Sequence, residues 1–404
     1  MLTVEAALEQ ILKRVRPLET ERVDLVGALG RALAETIVST RVIPPWPNSS
    51  MDGYAVRAAD TGAAAASGHT ELAVVGKIAA GALPARPVRA GEAMRIFTGA
   101  PLPDGADAVV PQEDVEIVGD RVRIGRRVEP GAFVRPVGED VRHGDVVLEP
   151  GHTLRAAEIG MLATLGYARV TVVRRPRVAI LSTGNELADL GTEPGPGQIP
   201  NTNTYSLIAQ VLEAGAEPIN LGVAGDQLDV IGERLGWGQG ADALVSSAGV
   251  SVGELDHVKD AMTRLGAELH LWRVSMRPGK PITFGSLGER PVFGLPGNPV
   301  SAMVTFELFV RPALLKMQGR TDLERPHLSA VTEDRLSNPP HLEQYFRGIA
   351  RREGDRILVR LTGDQGSHVL RSMADANCLI VVSQGTSDVP VGATVDIILL
   401  GPIG

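Results

Sequence analysis

The sequence predicts a multidomain protein of α/β and all-β parts, with a doubly wound α/β domain in the middle of the chain. Three observations predict this fold class. Apolar strands alternate with amphipathic helices over 176–326, which is typical of a mainly parallel sheet covered by helices on both faces. Short apolar runs broken by Gly, Pro and Asp fill 51–140 and predict a β-rich domain. Apolar and polar residues alternate more strictly over 327–404, which favours a small antiparallel β-barrel or sandwich.

The regions on either side of the β-rich domain are predicted to form one scaffold. Apolar residues at helical spacing predict an amphipathic helix over 3–16, with Thr3 as its N-cap. A second short helix is predicted within 28–37. A helix and a strand are also predicted on the far side of the β-rich domain. We therefore expect a discontinuous scaffold domain made of 1–50 and 141–175, into which the β-rich domain is inserted.

The α/β domain is predicted to contain four buried strands, each followed by a helix. The strands begin near 177, 217, 242 and 291, and the helices cover 204–216, 229–235, 257–266 and 300–310. In such folds ligands bind beyond the carboxyl ends of the strands. The loops that follow these strands are therefore the first candidates for a functional site.

Composition and charge exclude several functions. The net charge of −8 makes the chain a poor nucleic-acid binder, so an anionic substrate would need a local basic pocket. Cys378 is the only cysteine, which excludes an intrachain disulfide and a cysteine metal cluster and fits a reducing compartment. The N-terminus lacks the apolar core of a signal peptide, and no run of about 18 apolar residues predicts a transmembrane helix. We therefore expect a cytoplasmic protein that binds neither nucleic acid nor membrane.

Three loops rich in Gly and Ser follow strands of the α/β domain, at 182–186, 246–254 and 294–299. Small residues let the backbone approach a ligand and leave N–H groups free for an anion. One such loop is more often a tight turn, but three at one rim favour an anion site. Asn298 is expected to cap the helix after the third loop, with Pro299 at its first position. The residues expected to bind the substrate in these loops are Ser182, Thr183, Gly184, Ser247, Gly249, Ser251, Gly253, Pro296, Gly297, Asn298 and Pro299.

Carboxylates accompany these loops, at Glu186, Asp226, Glu254 and Asp256. Several carboxylates beside an anion-binding loop favour Mg²⁺ or a related cation that bridges to phosphate. The alternatives are a helix N-cap for Asp226 and a solvated surface position for Glu254.

Basic side chains follow at Arg273, Arg277 and Lys280. Arg277 and Lys280 flank a rigid Arg-Pro-Gly-Lys bend, which suits recognition of phosphate or another oxyanion. Ordinary surface charge is the alternative for the two arginines.

Common catalytic motifs are missing from the sequence. The three loops match neither the Walker nor the dinucleotide-binding pattern, no HExxH pattern indicates zinc, and no GxSxG elbow indicates a serine nucleophile. Three polar loops of the inserted domain, at 48–55, 95–103 and 135–140, also match no general motif. The residues alone leave these loops unassigned.

Seven segments in one order resemble a single family. They read NSSMDGYAV, RIFTGAPLPDGADAVVPQED, RPVGED, STGNEL, SSAGVSVGELD, RPGKP and GLPGNPVSA, and they extend over essentially the full length. This order resembles the molybdopterin molybdenumtransferase family, called MoeA in bacteria, which includes the E domain of gephyrin. A MogA-type adenylyltransferase would supply the α/β portion alone and would lack the MDGYA and TGAP segments.

The resemblance implies an elongated subunit with a scaffold, an inserted β-rich domain, a MogA-like α/β domain and a C-terminal β-barrel. It implies that molybdate and adenylylated molybdopterin are converted to molybdenum cofactor and AMP, with Mg²⁺ as the divalent cation. It also implies a homodimer with composite active sites, and a MogA-type adenylyltransferase as pathway partner.

The same resemblance implies roles for individual residues. Catalytic positions map onto Asp52, Thr98, Asp140, Glu186, Asp226 and Asp256, of which the last three would hold the metal. Substrate-binding positions map onto Arg135, Arg273, Arg277, Lys280, Pro296, Pro299, Arg347 and Ser367. The substrate itself would supply the dithiolene that receives the metal, so the enzyme's task is to hold two anions together.

The chain departs from the family's usual residues at three positions. The family often has glycine where this chain has Ala248, and we expect alanine to be accommodated if its φ is negative. It often has lysines where this chain has Arg273 and Arg277, and arginine keeps the charge with a different geometry.

Two other functions fit parts of the sequence. An adenylyltransferase that uses ATP would catalyse the preceding step, and a non-catalytic clustering scaffold would bind receptor tails as gephyrin does. The sequence contains no linker-rich tether or additional module that would favour a scaffold. It does not distinguish molybdate from tungstate as the substrate.

Overall fold

The computed structural model describes residues 1–62, 64, 68–238, 240–248, 257–271 and 273–404, with the backbone alone at His257. The chain divides into two units, of which the first consists of 1–35, 150–160 and 167–404, and the second of 36–149 and 161–166. None of the helices that the structure describes is long and apolar enough to cross a membrane.

The first unit begins with helix α1 (Val4–Arg14), which confirms the helix predicted over 3–16. Thr3 caps this helix, because its Oγ1 accepts a hydrogen bond from Ala6 N at 3.1 Å. Strand β1 (Thr20–Asp24) follows and pairs antiparallel with a strand at 169–173.

The helix predicted within 28–37 is wrong. The segment begins at the end of a 3-10 turn (Leu25–Ala28), after which Leu33 N donates to His152 O and Ala34 N donates to Thr171 O, both at 2.9 Å. The backbone of this stretch is therefore hydrogen-bonded to distant parts of the unit. Tertiary pairing has overridden the helix propensity of an alanine- and leucine-rich segment.

The second unit is β-rich, as predicted for 51–140. Its strands are β2 (Ile37–Val38), β3 (Asn48–Ser49), β4 (Gly53–Val56), β5 (Thr70–Ile78), β6 (Glu92–Ile96), β7 (Ala108–Pro111), β8 (Val115–Val118), β9 (Arg121–Ile124), β10 (Val134–Arg135) and β11 (Val146–Leu148). Six of them form a sheet of order β7-β4-β6-β5-β9-β8, with β5 and β6 parallel and the other pairs antiparallel. Tyr54 and Val56 of β4 pack into one apolar cluster and Ala55 into another, so both faces of the sheet are buried at this central strand.

The chain then returns to the first unit. Helix α2 (Ala156–Leu165) is divided between the two units, and β12 (Arg169–Val173) is the partner of β1. The elements that follow are β13 (Arg177–Thr183), β14 (Leu187–Ala188), β15 (Ile199–Pro200), α3 (Thr202–Glu213), β16 (Glu217–Ala224), α4 (Leu228–Trp237), β17 (Ala243–Ser247), α5 (His257–Arg264), β18 (Glu268–Leu271), β19 (Met276–Arg277), β20 (Thr283–Leu287), β21 (Arg290–Leu295), α6 (Pro299–Thr305) and α7 (Arg311–Met317).

These elements contain the doubly wound sheet that the sequence predicts. Its order is β16-β13-β17-β21-β20-β18, and the first four strands are parallel neighbours. Val178 and Ile180 of β13 share an apolar cluster with α3, whereas Ala179 and Leu181 pack with α4 and α5 on the other face. Strands β18 and β20 run antiparallel at one edge and were not predicted.

The helix predicted over 300–310 is interrupted. Helix α6 passes into a π-helical turn (Phe306–Val310), which joins α7. Glu307 lies buried in that turn, where its carboxylate accepts from Gln210 Nε2 at 3.0 Å and from Arg325 Nε at 2.9 Å. The π-helical turn therefore contains Glu307, the carboxylate of a buried ion pair, and the turn sets the direction in which this side chain leaves the helix.

A closed barrel ends the chain. Its elements are β22 (His327–Thr332), β23 (Leu336–Ser337), β24 (Glu343–Glu353), β25 (Arg356–Leu361), α8 (Arg371–Ala374), β26 (Cys378–Val382), β27 (Asp388–Val389) and β28 (Thr394–Leu399). Five strands close in the order β24-β25-β22-β28-β26 and back to β24. The pair β22–β25 is parallel, so the predicted barrel is confirmed but is not wholly antiparallel. Strand β19 pairs with β24, which brings Arg277 beside Gln344 of the barrel.

Candidate functional site

A cleft of about 640 Å³ lies at the carboxyl ends of β13, β17 and β21. The predicted loops meet there, because parallel neighbouring strands end at the same edge of a sheet. Gly249, Ser251, Gly253, Glu254 and Asp256 lie outside the described residues. The predicted residues that line this cleft are Thr183, Glu186, Ser247, Pro296, Gly297, Asn298 and Pro299.

Ser182 and Gly184 do not line this cleft but hold the loop that forms part of its wall. Ser182 is fully buried, and its hydroxyl lies 2.7 Å from Thr204 Oγ1, so it fastens β13 to α3. Gly184 has a φ of +146°, and a Cβ at this position would lie 2.5 Å from both carboxylate oxygens of Glu186. Glycine is therefore required for the Glu186 carboxylate to fold back over the loop.

Sequence reasoning missed Asn203, at the start of α3. Its Nδ2 donates to Ser247 Oγ at 2.6 Å and to Gly297 O at 2.7 Å. One amide thus joins the second and third loops. The only signal in the sequence was a polar Asn-Thr-Asn segment before a predicted helix, and Asn201 of that segment is indeed the N-cap.

Asp226 does not cap α4, because Gln227 occupies the N-cap position. Its Oδ2 accepts from Asn185 N at 3.2 Å, and its own N–H donates to Asn185 Oδ1 at 3.3 Å. This reciprocal pair holds the Asp226 loop beside the residue that precedes Glu186. Within the described part of the chain no three acidic, histidine or cysteine side chains gather as metal ligands. Glu186 and Asp226 nevertheless offer oxygen donors alone, which are the donors that suit Mg²⁺.

The condition under which Ala248 would be accommodated without strain, a negative φ, is not met, because its φ is +71°. This left-handed conformation disfavours residues with a Cβ. The position is held by the register of β17 with β21, since Ala248 N donates to Leu295 O at 3.1 Å. A Cβ on Gly297 would lie 3.4 Å from the methyl group of Ala248, so the two loops approach closely here.

A second cleft, of about 250 Å³, lies where the Arg-Pro-Gly-Lys bend meets the barrel. The predicted residues Arg277, Lys280, Arg347 and Ser367 line it, together with Gln344, which sequence reasoning missed. Arg273 is exposed and does not line either cleft.

Cations dominate this smaller cleft. Among the described residues no carboxylate forms an ion pair with Arg277, Lys280 or Arg347. Arg347 is only 1% exposed, and its Nε donates to Ser372 Oγ at 3.1 Å. Burial lowers the pKa of Arg347 to about 10, although Asp364 acts in the opposite direction, and Arg277 adds to the lowering. A buried guanidinium without a carboxylate partner is stabilised by a bound anion.

The two clefts adjoin. Pro281 lines both, and Asn298 of the larger cleft donates from Nδ2 to Ser367 Oγ of the smaller one at 3.0 Å. Asn298 stands at the N-cap of α6 with Pro299 next to it, but its side chain makes no capping hydrogen bond. The predicted N-cap position and the proline that follows it are therefore confirmed, but the Asn298 side chain connects the clefts instead of capping the helix.

The predicted residues of the second unit form a separate group. Asp52 Oδ1 accepts from both Thr98 N and Thr98 Oγ1 at 2.8 Å, and these hydrogen bonds lower the pKa of Asp52. Arg135 lies in β10 opposite Asn48 of β3, and Asp140 N donates to Ile43 O at 3.0 Å. The structure thus brings Asp52 and Thr98 into contact, and it pairs the segments that carry Arg135 and Asp140 with residues 43–48.

Family models match three consecutive parts of the chain. Residues 2–166 match the MoeA N-terminal region (domain I and II). Residues 179–316 match a probable molybdopterin binding domain, and 329–400 match the MoeA C-terminal region (domain IV).

Individual relatives match over nearly the whole length. The molybdopterin molybdenumtransferase of Haemophilus influenzae is 37% identical, with 98% of each chain covered. That of Nostoc sp. is 40% identical over 95% of this chain and 89% of its own. The crystal structure of a molybdopterin biosynthesis moeA protein from Pyrococcus horikoshii OT3 matches with a TM-score of 0.86 and 32% identity, covering 99% of this chain and all of that one. The chain therefore belongs to the molybdopterin molybdenumtransferase family, MoeA.

Proposed function

We propose that this chain transfers molybdenum from molybdate to molybdopterin, with release of AMP from an adenylylated substrate. The observation that carries the proposal is the pair of adjoining clefts in one unit. A small cleft with three cations that form no ion pair with a described carboxylate lies beside a larger polar cleft, and one hydrogen bond joins their walls. The curated relatives bear the name of this activity.

The smaller cleft binds molybdate in this proposal. Arg277 and Arg347 offer planar sets of N–H donors and Lys280 offers a compact charge, which together suit a tetrahedral dianion. The hydroxyl of Ser367 adds a neutral contact at the side that faces the larger cleft. Arg273 is not part of this group in our proposal, since it lies outside the cleft.

The larger cleft binds adenylylated molybdopterin. The loops at Ser247 and Gly297 present small residues and backbone N–H groups to the phosphates. The fixed cations of the smaller cleft offset the repulsion between the two bound anions. This repulsion is the main obstacle to bringing the anions together. The dithiolene of the substrate and the molybdate can then meet at the junction near Asn298.

Mg²⁺ is part of the proposal, and Glu186 and Asp226 would hold it, together with Asp256 by resemblance to the family. A bound Mg²⁺ would supply positive charge at the phosphates. The protein's own contribution is to keep the two carboxylates on loops that Asn185 holds together.

The second unit completes the site in a homodimer. Asp52, Thr98, Arg135 and Asp140 would act on the substrate held by the partner chain, so that each dimer has two composite sites. We further propose the four-domain division at 50, 140, 175 and 326, a cytoplasmic location, and a MogA-type adenylyltransferase as the source of the substrate.

The two alternative functions are not favoured. An adenylyltransferase limited to the α/β portion would lack the regions that match the MoeA N-terminal and C-terminal models. No feature of the described residues favours a non-catalytic scaffold over an enzyme with two anion clefts.

Incubation of the protein with adenylylated molybdopterin, molybdate and Mg²⁺ tests the proposal. We expect molybdenum in the pterin product, determined by metal analysis, and AMP in matching amount. A second incubation, with ATP and molybdopterin, tests for the adenylyltransferase activity. Formation of adenylylated pterin there, with no molybdenum transfer in the first arm, would contradict the proposal and favour the adenylyltransferase.

A further inference from the structure

The loop 364–368 forms part of the wall of both clefts. Ser367 lines the smaller cleft, and the next residue, His368, lines the larger one. A side chain at this position faces the compartment that receives the phosphate-bearing substrate in our proposal.

Several hydrogen bonds fix this loop. Gln365 Oε1 accepts from Arg347 N at 2.8 Å, and Ser367 O accepts from Val300 N at 3.1 Å. Asp364 Oδ1 accepts from Gly366 N at 2.8 Å. The loop is thus joined to β24 on one side and to α6 on the other, so the backbone that carries His368 is held in place.

The imidazole of His368 is exposed and has no hydrogen-bond partner among the described residues. It lies against the backbone of Gly366, where a Cβ would approach its Cε1 to 2.8 Å. Two other histidines of this unit do have partners, since His152 lies 3.3 Å from Glu158 and His270 lies 2.7 Å from Ser286. Those two histidines are tied to other side chains, whereas His368 lines the cleft with no such tie among the described residues.

The charged groups to consider around His368 line the two clefts or lie near it along the chain. Glu186 lines the same cleft, and Asp364 and Arg371 flank it along the chain. The groups of the adjoining cleft are the cations Arg277, Lys280 and Arg347. The larger cleft itself is lined by one carboxylate, Glu186, and by no lysine or arginine among the described residues, so a protonated His368 is the positive charge that this lining can offer to a bound anion.

From these contacts we infer that protonated His368 donates a hydrogen bond to a phosphate oxygen of the ligand in the larger cleft. The inference deepens the proposed function and rests on it. It adds a phosphate-binding residue from the barrel to a cleft otherwise built by the α/β domain. Because histidine is the side chain whose charge changes near neutral pH, a charge-dependent contact of this kind makes nucleotide affinity depend on pH.

The test is calorimetric titration of AMP into wild type and His368→Gln, with Mg²⁺ present, at pH 6 and pH 8. Glutamine keeps a neutral donor of similar reach but cannot become charged. We expect wild type to bind AMP about tenfold more tightly than the variant at pH 6, and nearly equally at pH 8. At each pH the affinity of wild type is divided by that of the variant, so that any change caused by protonation of AMP itself cancels. His327→Gln, at an exposed histidine on β22, is the matched control and should behave as wild type.

Three other results are informative. Equal affinity of wild type and His368→Gln at both pH values would overturn the inference and leave the proposed function standing. Equal weakening of the variant at both pH values would show a contact that does not depend on charge, and would also overturn it. Failure of wild type to bind AMP at all would contradict the proposed function itself.

Discussion

At the scale of single residues, the smaller cleft depends on cations that form no ion pair with a carboxylate of the described residues. Arg277→Ala removes one of them, and we expect molybdate binding to weaken by roughly 1–3 kcal/mol, the range for a lost charge-assisted hydrogen bond. Calorimetric titration with molybdate measures this change. Arg335→Ala, at an exposed arginine of the barrel that pairs with Asp388, is the control and should bind as wild type. Unchanged affinity in Arg277→Ala would remove this side chain from the oxyanion site.

The Asp52–Thr98 contact gives a prediction about pH. Hydrogen bonds from Thr98 N and Oγ1 lower the pKa of Asp52 below 3.8, so the stabilisation from this carboxylate is present above pH 3.8 and is lost as the pH falls through the lowered value. Thr98→Val removes the hydroxyl and keeps the N–H group. We expect the pKa of Asp52 to rise without returning fully to 3.8, as followed by NMR of the carboxyl carbon. An unchanged pKa would show that the hydroxyl does not bind the carboxylate in solution.

At the scale of elements, the loop after β17 holds a strained residue. A left-handed conformation costs an L-residue about 1–2 kcal/mol, while glycine costs roughly 0.5–1 kcal/mol in lost chain entropy. We therefore expect Ala248→Gly to leave the thermal midpoint unchanged or to raise it by a few degrees. Ala302→Gly, in the right-handed helix α6, should instead lower it. A clear loss of stability in Ala248→Gly would contradict the observed φ.

The elements that the sequence predicts correctly are those with strong periodic patterns. Strands β13, β16, β17 and β21 have long apolar runs bounded by turn residues, and helix α1 has a full apolar stripe with a threonine cap. Strands β18 and β20 were missed because both are short, and β18, the edge strand of the sheet, carries Glu268 and His270 among its four residues. Their pairing depends on neighbours rather than on a local pattern.

The candidate site likewise contains residues that could be predicted from the sequence and residues that could not. Its loops could be predicted, because glycine, serine and carboxylates after buried strands have a general meaning in parallel sheets. Arg347 could be reached by resemblance alone, since nothing in a barrel strand indicates that its guanidinium faces a distant loop. Asn203 and Gln344 were missed because their roles come from contacts with residues about 45 to 95 positions away.

At the scale of the whole molecule, the acidic groups of the two units are proposed to act together across a dimer. Asp52→Ala and Glu186→Ala are each expected to be inactive. When the two variants are unfolded, mixed and refolded, half of the dimers should be mixed, each with one intact site. Activity should then recover to roughly a quarter of wild type, by random pairing of symmetric subunits. If each site belonged to one chain, the mixture would be no more active than its parents.

The central claim is that an oxyanion and a nucleotide-bearing substrate occupy two adjoining clefts of one unit. The most direct measurement is a crystal structure of the protein with molybdate and AMP, with molybdenum located by its anomalous scattering. The account predicts an anomalous peak among Arg277, Lys280 and Arg347, and AMP in the cleft of Ser247 and Gly297, on opposite sides of the Asn298–Ser367 hydrogen bond. Molybdenum bound elsewhere, with the small cleft empty at saturating molybdate, would contradict it.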